Sequence, residues 1–487
     1  MQKITFLLVF LAFSSKSICQ NIDAMKNAAD KAIDSRYAEY KNLALQIWQH
    51  AELGYQETKS SAALQNTLKT NGFEVKAGVA DMPTAFVATY GSGKPVIGIL
   101  AEFDALPGLA QEAEPTKKFR KGAGGHGCGH HLFGVASMAS AIELKNQLQA
   151  NKLSGTIKIY GTPAEEGGGG KVYMVRAGLL EGVDVVMHWH PASSNAADAA
   201  SSLANISAKF RFRGQAAHAA ASPDRGRSAL DGVEAMNNMV NMMREHIPQE
   251  TRIHYVITDG GKAPNVVPDY AEVYYYVRHP NREICREIFD RLNKCANGAA
   301  MGTETNVEME VVNGVYDLLP IVPLAKQMHS NLTRVGGVTY NDSEKAFGLK
   351  IQESFPAKDR PSLEDASKVE PFVVGRKGGS GSTDVGDVSW VVPTVGLRTA
   401  TWIPGTAAHS WQAVACGGTE IGTKGMMVAA KTLTGMGLDL FTDPKLIEAG
   451  KAEFDKARGT NFQYKSLAGD RKPPLDYRNN SSGAHSD

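Results

Sequence analysis

Apolar residues recur at helical three-and-four spacing from about Asp23 to Gln49 and again from Glu57 to Leu68, before the pattern changes to strands. Two strands are predicted first, Thr84 to Tyr90 and Pro95 to Ala101. Within the second, Val96-Ile97-Gly98-Ile99-Leu100 is a continuous apolar run, suited to a sheet covered on both faces. A helix follows from His131 to about Leu148, then strands at Thr156 to Tyr160, Val183 to Met187 and Thr394 to Thr399. Polar clusters lie at or just past the carboxyl ends of these strands: Ala101 to Gly108, Glu165-Glu166, His188-Trp189-His190, and Trp402 to Ser410. Open α/β sheets build their sites at such ends.

Between Asn205 and Asp317 the texture changes. Ile206, Ala208, Phe210 and Phe212 alternate like a one-sided strand. A helix follows from Gly226 to His246, then strands Ile253 to Thr258 and Ala271 to Arg278, a helix near Asn281 to Gly298, and a strand Asn306 to Val312. That order is βαββαβ, the ferredoxin-like pattern. The stripe Ala229, Val233, Met236, Val240 and Met243 reads as packing against the insert's own sheet. The expected fold is therefore α/β, a central mixed sheet flanked by helices over 20–204 and 318–466, interrupted by a ferredoxin-like domain over 205–317. Residues 353–381, rich in charge, Pro, Gly and Ser, read as a surface loop, and 467–487 as an aperiodic tail.

A chain of 487 residues with 43% hydrophobic content is long enough for two cores. Lys+Arg 52 against Asp+Glu 51 leaves a net charge of +1, which offers no broad field to nucleic acid or an anionic membrane and makes a small-molecule substrate the default. The apolar run Ile4 to Phe13, ending at Ser14 to Gln20, reads as a secretory leader over 1–19, and no other run is long enough to span a bilayer. The expected location is secreted or periplasmic. A lipid anchor on Cys19 is the weaker reading, because Ser17-Ile18 matches a lipobox poorly. Cys128, Cys285, Cys295 and Cys416 then remain, and the ten-residue helical spacing of Cys285 and Cys295 keeps those two apart.

The stretch His126-Gly127-Cys128-Gly129-His130-His131 packs a thiol and imidazoles into a glycine-framed turn. Cys, His and Glu are the usual ligands of zinc and similar borderline-soft cations. Cys128, His130, Glu166, His190 and His409 make five candidate ligands, more than one catalytic ion with an open position needs, so two divalent ions are expected, Zn, Mn or Co. Of Glu165 and Glu166, one can bind metal while the other takes a proton from water. His131 is either a group behind the ligands or an extra ligand. Gly167 to Lys171 resembles a phosphate loop, but Val172 stands where Ser or Thr is required. His218, Asn265 and Arg278 have ordinary readings as loop, turn and strand-end residues.

Several spaced motifs together resemble the co-catalytic metallopeptidase family of aminoacylases and glutamate carboxypeptidases, and its amidohydrolase branch acting on aryl-amido glutamates. They are Ala101 to Gly108, His126 to His130, Gly161 to Lys171, His188 to Pro191, Asn265 to Arg278, Ser382 to Val388 and Ala408 to Gln412. The resemblance implies that the insert is a lid that mediates dimers. It also implies that Glu165 is the general base, Glu166 a ligand, and Asp104 a carboxylate behind the ligands. By the same resemblance His218 stabilises the oxyanion, often across a dimer, while Asn265 and Arg278 engage the substrate, whose carboxylate an Arg fork suits. The function expected is hydrolysis of the amide bond of an N-acyl or aminoacyl amino acid, such as an aryl-amido glutamate or a small dipeptide. The partners expected are that small molecule and a second copy or a homologous subunit. The rival readings are a non-catalytic metal or peptide binder and a subunit active only with its homologous partner.

Overall fold

The computed structural model describes residues 22–375 and 381–478. The expected leader with Cys19, part of the glycine-serine stretch near 380, and positions 479–487 lie outside the described residues.

Six strands build the larger sheet in the order β1-β2-β6-β3-β7-β12: β1 (Glu74–Ala77), β2 (Phe86–Ser92), β3 (Val96–Glu102), β6 (Gly155–Thr162), β7 (Val185–Ala192) and β12 (Thr394–Ala400). A two-stranded ribbon, β4 (Leu106–Pro107) with β5 (Gly124–Gly125), sits apart. β6, β3, β7 and β12 run parallel, whereas β2 and β1 join antiparallel, so the sheet is mixed. The apolar β3 takes an inner position, with Ile97, Ile99, Leu100 and Ala101 all buried. The helix His130–Asn151 is buried nearly all round because it lies between this sheet and the helix Glu420–Thr442.

Two local expectations are corrected. The single helix expected from Asp23 to Gln49 is helical over 22–35, turns at Arg36, and resumes as Tyr37–His50. Arg36 leaves helical geometry (φ −103°, ψ 13°) and grips the next turn through two hydrogen bonds to Glu39, at 2.9 and 2.8 Å. The strand expected to stop at Met187 continues to Ala192, because β12 pairs with it as far as Ala400↔Ala192. His188 and His190 therefore lie within β7 and share one face, alternating with buried Trp189.

The insert forms a separate antiparallel sheet, ordered β11-β8-β10-β9: β8 (Ala204–Arg213), β9 (Arg252–Asp259), β10 (Tyr270–His279) and β11 (Asn306–Val315). The helices Ala229–Met243 and Arg282–Gly302 cover one face, and the stripe Ala229, Val233, Met236, Val240 and Met243 is buried there. Val273, Tyr275 and Val277 belong to that face, so Tyr274, Tyr276 and Arg278 lie on the other. The registers Tyr274↔Lys209, Tyr276↔Ser207 and Arg278↔Asn205 give this second face a polar cross-strand row. It turns towards the larger domain, where Asn313 lies against Gly169. Among the described residues no helix is long and apolar enough to cross a membrane.

Candidate metal centre

Four parallel strands deliver the donors to one edge of the sheet. His190 lies in β7, Glu165 and Glu166 follow β6, Asp104 follows β3, and His409 follows β12. Cys128 and His130 arrive on the turn that opens the helix His130–Asn151. That turn depends on Gly129, which adopts φ 75° and whose absent Cβ would stand 2.7 Å from Pro191.

Cys128 Sγ lies 3.5 Å from His190 Nε2 and 3.4 Å from His409 Nε2, and His409 Nε2 lies 3.3 Å from Glu166 Oε1. Three sets of donor atoms each fall within 4.8 Å of one another: Cys128, His130 and His190; Cys128, Glu166 and His409; His130, Glu165 and Glu166. The first two sets share the Cys128 sulfur. His130 Nε2 and Glu166 Oε1 are buried without a hydrogen-bond partner of acceptable geometry. A buried unmet polar atom costs about 1–3 kcal/mol, a penalty that a cation held between these donors would remove. The donor chemistry and these two orphaned atoms fit a pair of divalent cations.

Charges behind the donors fix their aim. Asp104 uses both oxygens, Oδ1 at 2.9 Å from His130 Nδ1 and Oδ2 accepting the Glu166 amide at 2.9 Å. His190 Nδ1 donates to the Pro191 carbonyl at 2.7 Å, which leaves Nε2 free to face the sulfur. Glu102 faces His130 Nε2 at 3.1 Å through one oxygen and Lys171 Nζ at 2.6 Å through the other. Lys171 Nζ also lies 2.6 Å from Asp384 Oδ1. Lys171, Glu102 and Asp384 are all buried. Burial pulls the His130 pKa down, but Glu102 and Asp104 outweigh it and hold the ring well above its ordinary value. For Glu165, burial and then the neighbouring Glu166 carboxylate push the pKa well up, which suits a proton acceptor that must later donate. The centre opens at His409, whose side chain is 54% exposed against 9% for Glu166.

His131 turns away from the donors. Its Nε2 donates to the Gly417 carbonyl at 3.0 Å, and its ring lies 4.7 Å from that of His126, whose Nε2 donates to the Ile47 carbonyl at 3.1 Å. The pair braces the start of its helix. Glu57, also unforeseen, is buried and accepts the Ala164 amide at 2.9 Å. It thereby holds the residue before Glu165 at φ 57°.

The lid residues divide into two groups. Arg278 stacks 5.3 Å over Tyr276 at the hinge end, its Nε is buried without a partner, and its charge acts on His409. His218 and Asn265 are exposed at the opposite end, joined by the Ala219 amide donating to the Asn265 carbonyl at 3.0 Å. Eight residues of β10 separate Tyr270 from Arg278, about 26 Å of extended chain, so one chain's lid does not bring His218 to its own donors. Glu102 had a readable signal, a charge ending an apolar strand. Lys171 and Asp384 had none, because their pairing exists only in three dimensions.

Residues 204–304 match the peptidase dimerisation domain. Over 457 residues the chain is 40% identical to one of the two subunits of the p-aminobenzoyl-glutamate hydrolase of Escherichia coli (strain K12), covering 88% of this chain and 95% of that protein. It is 30% identical to the Xaa-Arg dipeptidase of Mus musculus, covering 90% and 94% respectively. A solved structure from Bacillus subtilis, described as a dinuclear metal binding peptidase of the M20 family, shares the fold with a TM-score of 0.56 at 17% identity, covering 83% of this chain and 98% of that one.

Proposed function

Because this chain belongs to the M20 family of metal-dependent amidohydrolases and peptidases, we propose that its centre cleaves the amide bond of an N-acyl or aminoacyl amino acid. The substrate class is an aryl-amido glutamate or a small dipeptide, as the names of both relatives suggest. The carrying observation is the pair of donor sets that share Cys128, with Glu165 beside them. Cys128, His130, Glu166, His190 and His409 would hold two divalent cations, Zn, Mn or Co. Such cations, when bound, lower the pKa of water and polarise a carbonyl.

Glu165 takes a proton as the water oxygen bonds to the amide carbon. It returns that proton to the nitrogen as the carbon–nitrogen bond breaks, giving a carboxylic acid and an amine. Arg278, facing the donors from the lid, takes the substrate's carboxylate. His218 and Asn265 serve through a second subunit, a reading that their position at the far end of the lid supports. That subunit is a second copy, or a homologous partner as the word subunit in the Escherichia coli relative's name suggests. The expected leader, outside the described residues, assigns the enzyme to the periplasm or the exterior.

A panel of acyl-amino acids and dipeptides, incubated with the chain and added Zn, Mn or Co, tests the reading by mass detection of the released amine. Glu165→Ala is expected to keep its metal and lose nearly all turnover. An unimpaired variant would remove Glu165 as the base, and a wild type that binds metal but releases no amine, alone or with a homologous subunit, would leave only a binder.

A further inference from the structure

The loop that carries Glu165 and Glu166 has a nearly complete set of backbone partners, and they come from three directions. On the amide side, Glu57 accepts from Ala164 at 2.9 Å and Asp104 from Glu166 at 2.9 Å. Within the loop, Ala164 O accepts from Gly168 and Gly169 at 3.0 and 2.8 Å, and Glu165 O accepts from Gly167 at 2.6 Å. Tyr55 donates to Gly168 O at 2.9 Å. The remaining carbonyl, that of Glu166, is met by the far end of the chain: Tyr477 Oη donates at 3.0 Å and Arg478 Nη2 donates as well.

Tyr477 occupies a built seat. Its ring stands edge-on to Tyr55 at 5.7 Å, and a Cβ on Gly54 would fall 2.2 Å from its hydroxyl, so only glycine leaves it room. The segment that delivers it, residues 459–478, lacks helix or strand yet is fastened along its path. Phe462 packs on Trp390 at 5.2 Å, and Tyr464 donates to Asp387 at 2.7 Å. Lys465 O accepts from Tyr316 at 2.6 Å, and Arg471 donates to Val312 O at 3.0 Å and pairs with Glu310 at 3.2 Å. The strap thus runs from the hinge of the lid, along its returning strand β11, to the loop between base and ligand.

We propose that this C-terminal strap belongs to the catalytic machinery, with Tyr477 and Arg478 as positioning residues that fix the Glu166–Gly167 peptide and through it the aim of both carboxylates. The inference rests on the reading of Glu165 and Glu166 as base and ligand. An unanchored peptide lets the carboxylates wander, and misplacement by about 1 Å can cost about 100-fold in rate.

The test compares the wild type with Tyr477→Phe, Arg478→Ala, the double variant, and a chain ended after Asp476. Three quantities are read: kcat and KM, the rate at which bound Zn or Mn is lost to a chelator, and the thermal midpoint. The double variant is expected to lose about 10-fold or more in kcat with KM within about 3-fold, and to lose metal faster, at a midpoint within about 2 °C of the wild type. Arg478→Lys should recover part of the loss. Unchanged kcat and metal loss overturn the proposal, as does a lowered midpoint with unchanged kcat, which would make the strap merely structural. If the wild type itself turns over nothing, the functional reading fails instead, and the chelator measurement on the isosteric Tyr477→Phe and on Arg478→Ala still decides: metal loss at the wild-type rate overturns the strap's role.

Discussion

Cys128 is the donor common to two sets, and that sharing makes it unlike the four others. Burial, then the Glu166 charge, push its thiol pKa well up, so the thiolate needs a cation beside it. Removing a terminal donor weakens one position, whereas removing a shared one weakens both. Cys128→Ala is therefore expected to bring bound metal from about two per chain to well under one, by elemental analysis after gel filtration, while His409→Ala keeps about one. Retention of both ions in Cys128→Ala would show that the sulfur is not shared. Lys171 presents a different case, since it touches no donor yet lies buried between Glu102 and Asp384 at 2.6 Å from each. Breaking a buried ion pair by removing one partner costs about 3–5 kcal/mol, because the remaining charges stay uncompensated. Lys171→Met should show that loss in urea unfolding, and Lys171→Met with Asp384→Asn should recover part of it. A loss under about 1 kcal/mol would mean that water reaches the cluster.

At the scale of elements, much of the fold was legible because burial enforces period. The all-apolar β3, the alternating β8 and the four-three stripe on Ala229–Met243 each announce which faces they bury. Breaks and extensions were less legible. The turn at Arg36 depends on a guanidinium finding Glu39, and the last residues of β7 depend on β12, two hundred positions away in sequence. The donor residues stood out by type at strand ends, but the groups that aim them, such as Glu57 and Asp384, follow no period. The strap was illegible for the same reason: it has no repeat and gains its order from Tyr464, Arg471 and Tyr477 seating separately. One of those seats senses pH. Asp387 accepts from Tyr464 at 2.7 Å and from the Tyr316 amide at 3.0 Å, yet burial raises its pKa from 3.8 to about 7. The folded carboxyl therefore keeps its proton to higher pH than the unfolded one, so the stability it contributes is complete below pH 3.8 and is lost as pH rises through about 7. Asn can keep both contacts uncharged, with the Tyr464 hydroxyl switching to acceptor. Asp387→Asn is expected to gain on the wild type in thermal midpoint between about pH 5 and pH 8, and parallel curves would contradict it.

The whole molecule carries an imbalance that a single chain does not resolve. The lid exposes Val256 (58%) and Ile257 (44%) on β9, the edge strand of its sheet, and Met239 (40%) and Met242 (71%) on the helix Ala229–Met243. An edge strand offers unpaired backbone groups, and apolar surface clustered beside one marks an interface. A two-fold pairing through β9 would bury this surface with the same patch on a second copy. It would also carry each lid's exposed His218 and Asn265 away from their own centre and towards the partner's. If each site is built from Glu165 of one chain and His218 of the other, two inactive variants complement. Glu165→Ala and His218→Ala, unfolded and refolded together in equal amounts, would form mixed dimers as half of the population, each with one intact site of two. About a quarter of wild-type turnover should return, against almost none for either variant alone. A site complete within one chain predicts no recovery at any mixing ratio, and would require the lid to fold over its own donors far enough to close the span along β10.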